Sequence, residues 1–212
     1  MTTFYVVRHG QTAANAQNLK QGTINTAVTH LNSVGKQQAQ TLHDTFDISF
    51  ADRLICSPLD RTQATAAILN QGRQLPVSQD ERLLEISYGQ WDGQDNDQLL
   101  AAYPQYFDPL LQDVLPSYVE VATDGETFEH VQQRVAAFLK TTAQAHPDEQ
   151  IIVVTHGFTV KAMALAILKP TDPMSLPEPA NTSVTKVMVD AVHGLQYLAY
   201  YNRLPQFWRA MT

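Results

Sequence analysis

A chain of 212 residues with 44% hydrophobic and 17% charged side chains is long enough for one well-buried core, and it holds no apolar run near the ~20 residues that cross a bilayer. Fourteen Lys and Arg stand against twenty-one Asp and Glu, a net charge of −7; the basic residues are scattered, which excludes the broad cationic footprint of a nucleic-acid binder. Cys56 is the sole cysteine, so no internal disulfide forms, and the N-terminus lacks the pattern of an export signal, so the expectation is a cytoplasmic protein with neither membrane nor nucleic acid as partner.

Phe4-Tyr5-Val6-Val7 is a short apolar run of β-branched and aromatic residues and reads as a buried strand. It ends at Arg8, His9 and Gly10, so a cation and an imidazole sit at the carboxyl end, where open α/β sheets bind ligands. A polar loop follows from Gln11 to Val28, bringing Asn15, Gln21 and Gly22 within reach of His9. Thr29 reads as the N-cap of a helix running to about Thr45. Arg53-Leu54-Ile55-Cys56 is a second strand; after it, Ser57 caps and Pro58 opens a helix through Leu69 that carries Arg61 in its first turns. Glu85 follows Leu83-Leu84 and precedes Ile86, a carboxylate among apolar neighbours, where a raised pKa is possible.

The segment from about 94 to 125 has no strand signature; its prolines and aromatics suggest short helices folded over the crevice as a lid. An amphipathic helix spans Thr127 to about Ala145. Ile151-Ile152-Val153-Val154-Thr155 then repeats the opening motif, a strand ending in His156-Gly157. An apolar helix from Val160 to Leu168, a Pro-rich linker from Pro170 to Pro179 and a hairpin of Val184 to Val189 with Leu195 to Tyr200 complete the chain. Strand and helix alternate at both ends, so the expected fold is a single α/β domain over 1–212, a three-layer α/β/α sandwich with a mainly parallel sheet.

Two strand-end histidines, two arginines and a glutamate suit the handling of a phosphoryl group. Arg8 and Arg61 offer forked donors to its oxygens, and a protonated His156 could add a third cationic contact. Neighbouring cations keep His9 neutral, a carbonyl accepting from one ring nitrogen fixes its tautomer, and the other nitrogen can then attack phosphorus. Glu85 is the available proton donor for the departing alkoxide. No metal-binding spacing, Walker loop, dinucleotide fingerprint or Gly-x-Ser-x-Gly is present.

Arg8-His9-Gly10-Gln11-Thr12 with Asn15, Gln21-Gly22, Ser57-Pro58-Leu59 with Arg61, Leu84-Glu85 with Gly89 and Trp91, Gly125-Glu126-Thr127, and His156-Gly157 are similar, in order and spacing, to the motifs of the histidine phosphatase family, also called phosphoglycerate mutase-like. The resemblance implies His9 as phosphorylated nucleophile, Glu85 as acid, Arg8, Arg61 and His156 as the phosphate pocket, and Asn15, Gln21, Gly22 and Gly157 as substrate contacts, with no metal and no cofactor. Asn25, Ala27, Asp92 and Leu19 depart from the family's usual residues, and none removes a catalytic group.

The expected activity is metal-independent hydrolysis of a small phosphorylated metabolite. A phosphoglycerate mutase and a catalytically silent phospho-ligand-binding protein are the alternatives, and a homodimer stays open. From Leu83 through Gln133 the chain has no Lys or Arg, whereas Asp92, Asp95, Asp97, Asp108, Asp113, Glu120 and Asp124 are acidic. Such a lid opposes a second anionic group on the substrate and favours leaving groups that are neutral, apolar or cationic; Lys20 and Lys161 are the cations that could reach the pocket from elsewhere.

Overall fold

The computed structural model describes residues 1–204; residues 205–212 of the expected 1–212 domain lie outside the described residues. Strand β1 (Thr2–Arg8) lies inside a six-stranded sheet with β2 (Arg53–Cys56), β3 (Val77–Gln79), β4 (Gln150–Thr155), β5 (Val184–Asp190) and β6 (Leu195–Arg203), in the order β3-β2-β4-β1-β5-β6. The pairs β3/β2, β2/β4 and β4/β1 are parallel; β1/β5 and β5/β6 are antiparallel. The sheet is therefore mostly parallel, and β5/β6 form the expected hairpin.

Side chains of a strand alternate between faces, so the continuous apolar runs of β1 and β4 require cover on both sides. Phe4, Val6, Ile151 and Val153 pack under α5 (Phe128–Ala145) and α6 (Gly157–Leu168), whose Val131, Val135, Phe138 and Met163 are fully buried. Tyr5, Val7, Ile152 and Val154 pack on the other face against Leu42 of α2 (Ser33–Thr45) and Ala66 and Leu69 of α3 (Asp60–Leu69). Two cores on opposite faces of one sheet make the three layers.

The lid contains α4 (Asn96–Ala102) and two 3-10 turns, Pro104–Tyr106 and Pro116–Glu120. Its aromatics pack around Trp91, which precedes the lid in the chain. Trp91 stacks on Phe107, centroids 6.0 Å apart and planes 17° apart, and meets Tyr103 at 5.3 Å and Tyr118 at 5.8 Å.

Several element starts differ from the sequence reading. Thr29 closes a 3-10 turn (Ala27–Thr29), and the N-cap of α2 is Asn32, whose side chain accepts from Gly35 N. Leu31 bridges Thr12 in between, which keeps the backbone extended for longer than propensity suggests. α3 starts at Asp60 rather than at Pro58, and Ser57 does not cap it, because the Ser57 hydroxyl is engaged with His156. α6 begins directly after His156, three residues before Val160. The polar loop holds one short helical turn, α1 (Ala13–Ala16), closed by a reciprocal cap between Thr12 and Asn15.

Candidate active site

The geometry begins with strand register. Arg8 lies beside Thr155 across the parallel β1/β4 pair, and His9 N donates to Thr155 O at 2.9 Å. The next residue on each strand is a histidine, so the backbone ladder alone sets their rings side by side, centroids 5.3 Å apart. Gly10 lets the chain turn away at once: a Cβ there would stand 2.4 Å from Gly35 O.

His9 Nδ1 lies 2.7 Å from Gly10 O. A carbonyl can only accept, so Nδ1 carries the proton and the Nε2 lone pair is free. Burial, then the charges of Arg61 and Arg8, hold this imidazole well below the ordinary histidine range despite the carbonyl's opposing pull. His9 is thus neutral and pre-set in one tautomer, with 2% exposure.

Arg61 is 1% exposed, and its guanidinium is held from three directions. It donates to Gly22 O at 2.7 Å, to Ile24 O at 2.9 Å and to His156 Nδ1 at 3.2 Å. Desolvation brings its pKa down to about 10, which still leaves a cation at neutral pH. His156 accepts from Arg61 and faces the Ser57 hydroxyl with Nε2 at 2.8 Å. Burial first, then Arg61 and His9, push its pKa well down. The third cationic contact expected of His156 is therefore absent: it is a neutral ring that orients Arg61.

Arg8 reaches Pro179 O at 2.5 Å and Glu178 at 3.6 Å, while its buried Nε meets no acceptor. Glu85 does not sit in the purely apolar setting expected for it. Leu83 and Ile86 beside it are fully buried, but its carboxylate accepts from the backbone N–H groups of Ile86, Phe158 and Thr159, at 3.0, 3.3 and 3.2 Å, and from the Thr159 hydroxyl at 3.2 Å. The first turn of α6 thereby fixes where Glu85 points. Arg134 steadies the same segment, donating to Arg82 O and Glu85 O while paired with Glu126.

These groups open on a cavity of about 330 Å³ lined by Arg8, His9, Asn15, Gln21, Gly22, Arg61 and Glu85, and further by Lys20, Tyr88, Asn96, Asp113 and Glu178. Asn15 Oδ1 is taken by the N-terminus of α1, and Gln21 Oε1 accepts from Thr12 Oγ1 at 2.9 Å, which leaves their amide nitrogens for a ligand. Gly22 adopts φ +48, and a Cβ on it would collide with Asp92. His156 and Gly157 do not line the cavity. A Cβ on Gly157 would stand 2.2 Å from Glu178 Oε2 and 2.8 Å from Arg8 Cζ, so this glycine leaves room for the Arg8–Glu178 pair.

Lys20 is in the cavity wall, bound to Asp113 at 2.9 Å. Lys161 is not; it is fully buried, with Nζ 3.8 Å from Met174 Sδ. Glu178 and Arg134 were not singled out from the sequence. Glu178 stands between Pro177 and Pro179, a carboxylate in a stiffened linker, and that was the only local signal. Among the described residues no helix is long and apolar enough to cross a membrane.

Comparison with known proteins agrees with this geometry. The chain is 30% identical over 168 residues to phosphoserine phosphatase 1 of Hydrogenobacter thermophilus, covering 79% of this chain and 77% of that protein. It is 32% identical over 152 residues to the adenosylcobalamin/alpha-ribazole phosphatase of Escherichia coli K12, covering 72% of each. Among solved structures, Bacillus stearothermophilus YhfR superposes with a TM-score of 0.83 at 32% identity, covering 96% of this chain and 98% of that one. The profile of the histidine phosphatase superfamily (branch 1) matches residues 4–201, and the chain belongs to that superfamily.

Proposed function

We propose that this protein hydrolyses phosphomonoesters of small metabolites through a phosphohistidine on His9. The observation that carries the reading is the neutral His9 ring, its Nδ1–H given to Gly10 O and its Nε2 free beside the Arg8 and Arg61 guanidinium groups. In the first step Nε2 forms a bond to phosphorus, the ester P–O bond breaks, and Glu85 gives its proton to the departing alkoxide. In the second step water attacks the phosphohistidine, its proton passes to Glu85, and the N–P bond breaks to release phosphate and restore both groups. Arg8 and Arg61 neutralise the equatorial oxygens, work that a metal ion does in other phosphatases.

Hydrolysis is favoured over mutase chemistry by the charge around the cavity. A mutase must hold a second anionic group, yet Lys20 is the one further cation in the wall and Asp113 already neutralises it at 2.9 Å. The lid adds no Lys or Arg.

The test is turnover of p-nitrophenyl phosphate and of an alkyl phosphate. His9→Ala is expected to lower kcat by on the order of 10³-fold or more for both, and a chelator to leave the wild type unchanged. Glu85→Gln is expected to slow the alkyl ester by roughly 10²-fold and the aryl ester far less, because nitrophenolate leaves without a proton. Tight phosphate binding with no turnover of either ester would instead establish a binding protein, and efficient interconversion of phosphoglycerates in the presence of bisphosphoglycerate would establish a mutase.

A further inference from the structure

The cavity holds acceptors that no group in the protein satisfies. Glu178 receives no hydrogen bond from any described residue, and its one ion pair, to Arg8, is long at 3.6 Å. Asp113 uses Oδ1 for both Lys20 and Val114 N, at 2.9 Å each, and its second oxygen receives none. Asn96 is only 8% exposed, and its Oδ1 meets no donor; its amide nitrogen points to Gln112 O at 3.4 Å. All three residues line the same cavity as His9. Asn96 Oδ1 is buried without a donor, which costs free energy, and the Glu178 and Asp113 carboxylates, 23% and 18% exposed, have oxygens to spare, so this wall is complementary to a ligand that brings N–H groups.

Charge selects the same partner. Arg8, Arg61 and Lys20 line the cavity against Glu85, Asp113 and Glu178. Once a phosphoryl dianion occupies the two guanidinium groups, Asp113 keeps Lys20 at 2.9 Å and feels the buried Lys161, and Glu178 is the wall carboxylate left without a cation of its own. Glu178 then also loses its share of Arg8. A hydroxyl on the leaving group would offer one donor and no charge; a carboxylate or second phosphate would meet the Glu178 carboxylate. A primary ammonium offers three donors and one positive charge. Tyr88, whose ring already carries Lys20 Nζ 5.0 Å from its centroid, supplies an aromatic face of the kind that tolerates a cation.

We infer that the cavity selects aminoalkyl phosphomonoesters, holding the substrate ammonium between Glu178, Asp113 and Asn96 while the phosphoryl group meets His9. This rests on the phosphatase reading and names its substrate class. Burial and the nearby Asp113 raise Glu178 to about 7, which an arriving ammonium would reverse by favouring the carboxylate.

O-phosphoethanolamine and n-propyl phosphate have the same length and shape and differ in an ammonium for a methyl group. The wild type is expected to show kcat/KM about tenfold or more higher for O-phosphoethanolamine. Glu178→Gln should bring that ratio close to one, and Asn96→Leu should lower it several-fold, with thermal melts confirming folded variants. The wild-type ratio decides even if a variant fails to fold. A ratio near one in wild type that turns over p-nitrophenyl phosphate overturns the ammonium site and leaves the phosphatase reading standing; so does an undiminished ratio in folded Glu178→Gln. No turnover of any of the three esters by folded wild type overturns both.

Discussion

His9, His156 and Glu178 link the site to the stability of the fold through protons. Both imidazoles are held neutral, chiefly by burial, while in the unfolded chain they charge near pH 6.5. Below that pH unfolding takes up a proton at each, so each lowers stability as the pH falls, by on the order of 1 kcal/mol per pH unit. Glu178 has the opposite sign. Its folded pKa of about 7 lies above the ordinary carboxylate value, so between those limits the folded protein holds a proton that the unfolded chain releases, and falling pH stabilises it. From pH 6.5 towards 5.5 the three leave a net loss of about one histidine's worth, on the order of 1 kcal/mol. Urea unfolding at both values should show it, and Glu178→Gln should roughly double the slope; an unchanged slope in that variant would contradict the upward shift of Glu178.

At the scale of elements, the loop after β1 and the first turn of α2 hold each other in place through two glycines. A Cβ on Gly35 would come 2.0 Å from Gln11 O and 2.6 Å from Gln11 N, and backbone so close to the nucleophile has little room to yield. Gly35→Ala is therefore expected to cost ~1–3 kcal/mol in urea unfolding and to lower kcat by shifting Gly10 and the His9 ring. A variant as stable and as active as wild type would show that the loop is free to move. This contact could not be read from the sequence, since Gly10 and Gly35 meet only through tertiary packing. What could be read was whatever local pattern decides: two apolar strands each ending in His-Gly, and the amphipathic α5. The start of α2 was misplaced because the Thr12–Leu31 bridge outweighs a good capping residue at Thr29, and that of α3 because Ser57 turns to His156. Glu178 stayed hidden because its place depends on how the linker returns over Arg8. The protonation of His156 was misread because its chemistry depends on being sealed behind Arg61.

Across the whole molecule, the parallel β3-β2-β4-β1 set with its appended antiparallel pair leaves β1 bonded along both edges, to β4 and to β5. The lid, in contrast, is built from one short helix and single turns, with Leu110 87% exposed, and it meets the substrate loop through a few bonds such as Lys20 N to Gln94 O and Asn18 to Asp97. Although Phe107, Val114 and Tyr118 anchor the lid in the main core, its short elements are expected to open more readily than the central strands. In amide hydrogen–deuterium exchange, the N–H groups of Val6, Val7, Val153 and Val154 are expected to exchange only through global unfolding, with a free energy equal to that from urea, while those of Asn96 to Tyr106 exchange orders of magnitude faster. Equal protection in strand and lid would mean that the two open as one unit. If the gap is found, the nucleophile keeps its alignment through every opening that admits a substrate or releases a product. Substitutions that loosen the lid would then retune turnover and selectivity without disturbing the phosphoryl-transfer step, so one strand pair can carry the same chemistry beneath many different covers.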